Sequence, residues 1–174
     1  MNDTPVTVLV LPTPGGPLTV LLTPEDGVVR ASGYTGVEDQ VARLAPDLRR
    51  GGYRAVPPSD PVAGPVADAV AAYSAGRVDA LADVPVAQPG GAFLQEVWRV
   101  MRAIPPGQTW SYAELAAKAG RPAAVRAAGQ ACARNLVAPF VPCHRVVRSD
   151  GTLGGYYYGL AVKERLLAHE RAAG

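Results

Sequence analysis

The chain has 174 residues, of which 48% are hydrophobic and only 18% charged, so it can bury a real core and is neither a disordered segment nor a fibre. No apolar run approaches the roughly 18 residues that a membrane-spanning helix needs, and residues 1–17 lack the basic start, apolar stretch and cleavage site of a secretory signal, which predicts a cytoplasmic protein. The net charge of +2 is uneven: residues 1–88 hold six basic and ten acidic side chains, a balance of −4, while residues 89–174 hold eleven and five, a balance of +6.

Along the chain, two apolar runs, Val6–Leu11 and Leu18–Leu22, flank Pro12-Thr-Pro-Gly-Gly-Pro17, which cannot continue a strand, so a β-hairpin with a long loop is predicted. A third strand, about 28–32, follows the turn Pro24-Glu-Asp-Gly27. Apolar residues at 37, 41, 44, 45 and 48 predict one amphipathic helix over 37–48, and a second helix is expected over 65–74, ending near Gly76. The Pro- and Gly-rich stretch 84–91 coincides with the switch in charge. It reads as a linker and divides the chain into residues 1–88 and 89–174.

The second half opens with a helix over 92–102, whose Phe93, Val97, Trp98 and Met101 share a face. Ile104-Pro-Pro-Gly-Gln108 ends it, and Ser111-Tyr-Ala-Glu114 has the capping-box form for a helix that runs to Ala119. Gly120 suits a helix C-terminus and Pro122 a first turn, so a further helix over 122–134 completes a helix-turn-helix outline. That helix carries Ala123, Ala124, Ala127, Ala128, Gly129 and Ala131. Such a smooth helix packs tightly against its own domain or lets another surface come close. Arg126 and Arg134 flank it, and a planar, permanently charged guanidinium suits phosphates and the space a displaced base leaves. The basic balance of this half fits a polyanionic partner, although solvated surface arginines would give the same count.

The chemistry-bearing segment is Val141-Pro-Cys-His-Arg-Val-Val147, read here as strand-like. Only a thiolate is nucleophilic, so a catalytic Cys143 needs a base. His144 is the obvious one, acting through a water because neighbouring strand side chains point apart. Glu170, at the end of a helical pattern over 162–168, could fold back to orient the imidazole. The same pattern also fits a buried cysteine that is merely a small hydrophobe. Cys132 and Cys143 are expected to stay free thiols in a reducing compartment, and two histidines without paired cysteine spacing predict no metal.

Pro142-Cys-His-Arg-Val146 resembles the active-site signature of the O6-alkylguanine-DNA alkyltransferases, or methylated-DNA–protein-cysteine methyltransferases. The likeness continues in order through residues 93–98, Ile104-Pro-Pro-Gly-Gln108, Ser111-Tyr112, Ala124-Val-Arg-Ala127, Asn135, residues 151–155 and residues 163–170. It implies an α+β fold: a ribonuclease-H-like α/β domain in residues 1–88 and a mainly helical domain with a winged helix-turn-helix in residues 89–174. It also implies direct-reversal DNA repair, the alkyl group passing once and irreversibly from O6-alkylguanine, or O4-alkylthymine, to Cys143 without a cofactor.

By position, the resemblance makes His144 and Glu170 the partners of Cys143, Asn135 the brace of its turn, and Tyr112 a donor to N3 of the flipped guanine. Val146, Tyr156, Tyr157, Tyr158 and Lys163 would form the pocket wall. The second helix would enter the minor groove of double-stranded DNA, bound by a monomer, with Arg126 filling the gap, Ala127 and Gly129 allowing contact, and Arg134 at its end. Leu136 replaces a common proline, which predicts a less rigid turn, and only four residues follow Glu170, which predicts a tail prone to fray. Tyr157 and Tyr158 would hinder a benzyl group if they enter the pocket, and would discriminate weakly if they face solvent. Two other classes fit less well: damage-binding relatives that lack the cysteine, and a Cys-His hydrolase, whose oxyanion hole the sequence does not show.

Overall fold

The computed structural model describes residues 3–173. Strands β1 (Val6–Leu11), β2 (Leu18–Leu22), β3 (Val29–Gly33) and β4 (Tyr53–Ala55) form one mixed sheet in the order β3-β2-β1-β4. β1 and β2 pair antiparallel from Thr7↔Leu22 to Leu11↔Leu18, as the two apolar runs predict, while β4 joins β1 in parallel. β4 was not legible in the sequence: Tyr53, Arg54 and Ala55 are all exposed and carry no apolar alternation.

Both faces of the sheet are covered, which is why β1 and β2 are apolar almost throughout. On one face Val6, Val8, Leu21 and Ala31 pack under α1 (Val37–Arg43) and α2 (Pro46–Arg49), through Val37, Val41, Leu44 and Leu48. The single helix expected over 37–48 is therefore two. Leu44 and Ala45 are extended, with ψ of 152° and 145°, because a residue preceding proline is pushed out of the helical region and Pro46 opens a new turn. The apolar spacing survives the break, since the same four side chains still face the sheet.

On the other face Leu9, Leu11, Leu18, Val20 and Leu22 join Val66, Val70 and Tyr73 of α3 (Gly64–Ser74). This core continues into Val97, Trp98 and Met101 of α4 (Ala92–Met101), Ala128 and Ala131 of α6 (Val125–Ala133), and Leu166 of α7 (Leu160–Ala172). The free edge of β3 is closed by residues 85–87, just before the boundary between the halves, and by residues 136–138 of the second half. Val29 N donates to Pro85 O at 2.9 Å, Ser32 N to Leu136 O at 2.8 Å, and Ser32 Oγ to Ala138 O at 2.7 Å.

In the second half, α5 (Tyr112–Lys118) starts with the expected capping box: Ser111 Oγ accepts from Glu114 N at 3.0 Å, and Glu114 Oε2 accepts from Ser111 N at 3.1 Å. α6 begins at Val125 rather than Pro122, because residues 121–124 close a turn in which Pro122 takes the second position, Ala124 N donating to Arg121 O at 2.9 Å. Strand β5 (Trp110–Ser111) pairs in parallel with β6 (Val146–Val147), joining the start of the helix-turn-helix to the segment after Cys143. Among the described residues, no helix is long and apolar enough to cross a membrane.

Tyr158 crosses between the two halves. Its hydroxyl accepts from Gln40 Nε2 at 3.2 Å and from Arg43, and donates to Ser32 O at 3.3 Å. The ring lies so close to β3 that a Cβ added at Gly33 would stand 1.8 Å from the Tyr158 hydroxyl oxygen. Gly33→Ala is therefore expected to lower stability by about 1–3 kcal/mol, as overpacking does, and much of that loss should vanish in a Tyr158→Ala background. Denaturant unfolding of the two single variants and the double variant measures it.

Candidate active site

Cys143, His144 and Arg145 form one turn of 3-10 helix, with Arg145 N donating to Pro142 O at 3.0 Å, and β6 starts only at Val146. The strand expected through this segment is thus corrected at its centre, where Pro142 cannot supply a ladder donor. Asn135 holds the turn. Its Nδ2 donates to Val141 O at 2.8 Å and to Cys143 Sγ at 3.3 Å, while its Oδ1 accepts from Val137 N at 3.1 Å. Gln88 completes the brace: its Nε2 donates to Asn135 Oδ1 at 3.1 Å and its Oε1 accepts from Leu136 N at 2.7 Å. A proline at 136 would have no such N–H, so the leucine adds a restraint of its own to the turn.

Behind the thiol stands Glu170, fully buried on α7 two residues before the helix ends at Ala172. Its Oε2 accepts from His144 Nε2 at 2.9 Å, from Arg145 at 3.0 Å and from the Tyr73 hydroxyl at 2.7 Å, while its Oε1 accepts from Arg145 Nε at 2.8 Å. Burial works against this carboxylate, but His144 and the two-point Arg145 contact hold it well below the usual range.

Burial pushes the Cys143 thiol up, against the Asn135 hydrogen bond and the Lys163 charge, so the resting group is a thiol that needs a base. Burial also pushes His144 down, against Glu170, which leaves a neutral imidazole. With Nε2 facing Glu170, the tautomer set by the network carries its proton there. Nδ1 has no hydrogen-bond partner among the described residues and offers the lone pair that could accept a proton.

Cys143 opens onto a cavity of ≈ 200 Å³, lined by Tyr112 and Gly129 from the helix-turn-helix, by Cys132 and Ala133, and by Gly155, Tyr156 and Tyr157. Three expected wall residues stand outside this lining. Val146 is buried in β6, and Lys163 is buried too, its Nζ donating to Val146 O at 2.7 Å, Gly155 O at 3.2 Å and Leu153 O. Lys163 therefore ties down the 153–155 loop rather than facing a ligand. Tyr158 is turned into the first half of the chain, whereas Tyr157 is 61% exposed at the cavity, with the Arg43 guanidinium 4.3 Å from its ring centre. On α6, Arg126 and Arg134 are exposed and Ala127 half-buried, while Ala128 and Ala131 face the core. Among the described residues, no group of three or more His, Cys, Asp or Glu side chains could hold a metal ion.

Sequence reasoning missed four residues of this cluster: Tyr73, Arg145, Arg43 and Gln88. Arg145 stands inside the motif, yet its neighbours in sequence give no sign of a role for it. Arg43 bridges Tyr158 to the Asn135 carbonyl, which it meets at 3.2 Å.

A helix-turn-helix set beside a cavity onto which a braced cysteine opens, with a histidine buried next to it in the chain, is the arrangement of a DNA-binding protein that presents a thiol. Residues 92–172 match the family model of the 6-O-methylguanine DNA methyltransferase DNA-binding domain. The methylated-DNA–protein-cysteine methyltransferase of Salmonella typhimurium is 41% identical over 159 residues, 91% of each chain, and that of Shigella flexneri is 38% identical over the same share. The crystal structure of Mycobacterium tuberculosis OGT in complex with DNA superposes with a TM-score of 0.76 at 32% identity, covering 97% of this chain and 95% of that one. The chain belongs to the methylated-DNA–protein-cysteine methyltransferase family.

Of the two rings on which substrate size was expected to depend, Tyr157 lines the cavity and Tyr158 does not. Tyr158→Gly is expected to lower stability and to leave the ratio of reaction rates for O6-benzyl and O6-methyl substrates unchanged within about twofold, because this ring does not border the cavity. Paired single-turnover rates measure it. A large gain for the benzyl substrate would place the ring in the path of the alkyl group.

Proposed function

We propose that Cys143 is the residue that takes the alkyl group from O6-alkylguanine in duplex DNA, after the base has been turned out of the stack into the cavity beside it. That the chain is a DNA-repair methyltransferase acting on O6-methylguanine follows from its family. The observation that carries the assignment to Cys143 is its thiol opening onto the cavity, next to a neutral His144 oriented by a buried, charged Glu170.

In the proposed reaction the Cys143 proton passes to His144 Nδ1 through a water. The thiolate attacks the alkyl carbon, and the C–O6 bond breaks with its electron pair going to the guanine. Tyr112, at the cavity wall, hydrogen-bonds N3 of the leaving base and eases its negative charge. Nucleophile and proton acceptor both come from the chain, so the chemistry calls for no cofactor, and O4-alkylthymine offers a similar alkyl–oxygen bond. The product is a thioether, which no group near Cys143 can hydrolyse, so each molecule acts once.

An atom inside a duplex can be reached only by extruding its nucleotide. The exposed outer face of α6 fits this task, lying in the minor groove as part of a monomer, with Arg126 occupying the gap, Ala127 and Gly129 permitting close approach, and Arg134 near phosphate. Residues 89–174 would thus carry DNA binding and transfer, while residues 1–88 back the site. A reducing cytoplasm would keep Cys143 a thiol.

Intact mass after excess methylated duplex should rise by one methyl group and no more, and Cys143→Ala should abolish the gain; sustained turnover would refute the assignment. Arg126→Ala should slow repair of duplex substrate by about tenfold or more while changing repair of single-stranded substrate little, since no stack has to be opened there. Equal losses on both substrates would remove Arg126 from that role.

A further inference from the structure

Tyr73 lies on α3, in the half of the chain to which no transfer chemistry has been assigned, yet its hydroxyl ends inside the catalytic cluster. The side chain is fully buried, and its hydroxyl donates to Glu170 Oε2 at 2.7 Å. It is seated independently of that bond: His169 Nε2 meets the Tyr73 carbonyl oxygen at 2.7 Å, and the two rings pack edge to face with centres 5.1 Å apart. Burial and the Glu170 charge both push the phenol far up, so it remains a donor throughout the pH range in which the protein works.

The oxygen that Tyr73 meets is the one His144 also uses. Each donor draws charge from Oε2, and the more one takes, the less remains to stabilise a positive imidazole. We propose that Tyr73 is a positioning residue which, through Glu170, sets the basicity of His144 and so the pH range over which Cys143 is activated. It rests on the reading of His144 as the proton acceptor. The other groups facing this pair are Arg145, whose guanidinium shares Oε2, Lys163 on α7, the Cys143 thiol and Tyr34 beside Glu170, and a change at position 73 leaves each of these side chains in the chain.

Protonated His144 cannot accept the Cys143 proton, so the transfer rate must fall on the acid side. Tyr73→Phe keeps the ring and removes only the donor. Oε2 then holds more charge, imidazolium is favoured, and the acid limb moves to higher pH. Site-specific 3,5-difluorotyrosine at position 73 is a stronger donor of nearly the same shape, and it moves the limb to lower pH. Lost packing alone would lower the rate without shifting the limb in opposite directions.

The test is the single-turnover rate of methyl transfer from duplex O6-methylguanine to the full chain, from about pH 8 down to the lowest pH at which each protein stays folded, since His144 lies below its ordinary value, with melting temperature measured on each variant. The expected result is opposite shifts of the acid limb, each on the order of half a pH unit. A limb that stays in place in both variants, or moves the same way in both, overturns the proposal. Should Tyr73→Phe fail to fold, the fluorinated protein alone decides: a downward shift supports the proposal and no shift overturns it. An unmodified protein with no acid limb refutes His144 as the base, a failure distinct from that of Tyr73.

Discussion

A carboxylate that has left water must be compensated where it lies, and the rest of this molecule is arranged around that requirement at Glu170. Moving such a charge into the interior costs several kcal/mol unless good hydrogen bonds replace its hydration. Here His144, Tyr73 and two nitrogens of Arg145 replace it, and Arg145 uses a further nitrogen on Ile104 O at 2.9 Å. One side chain thereby fixes the mutual positions of α7, the turn bearing the nucleophile, the end of α4 and α3. The orientation of the imidazole is a by-product of keeping that charge satisfied.

Local pattern made much of the fold readable and left its joints hidden. The apolar runs of β1 and β2 are long, continuous and bounded by proline and glycine, so their limits could be placed to the residue. The capping box at Ser111 and Glu114 was equally plain, because both partners lie within one turn. By contrast, α1 and α2 share one apolar face, and periodicity sees a face but not a break within it. β4 is joined to the sheet by backbone pairing to β1, and its exposed side chains carry no apolar alternation.

The same distinction runs through the site. Cys143 and His144 adjoin in sequence, and Glu170 follows them within the same half, so a motif could gather all three. Tyr73 reaches Glu170 across 97 positions and Arg43 reaches Tyr158 across 115, and nothing near either residue marks it as different from any other helix side chain. Departures from the family pattern were visible but not their compensation. Leu136 spends its extra N–H on Gln88, and Tyr158, which looked like added bulk in the pocket, is absorbed by the missing side chain of Gly33.

The closure of β3 by residues 85–87 and 136–138 has a bearing on how the molecule comes apart. An internal strand cannot be uncovered without stripping main-chain donors from their acceptors, and one of the covering segments, 136–138, belongs to the half that contains Cys143. The boundary that charge and composition draw near Gln88 is therefore crossed by hydrogen bonds that tie the sheet to the second half. Fluorescence from Trp98 and Trp110, both in the second half, would register the loss of a sheet built wholly from the first, with one midpoint and one heat-capacity step for the whole chain.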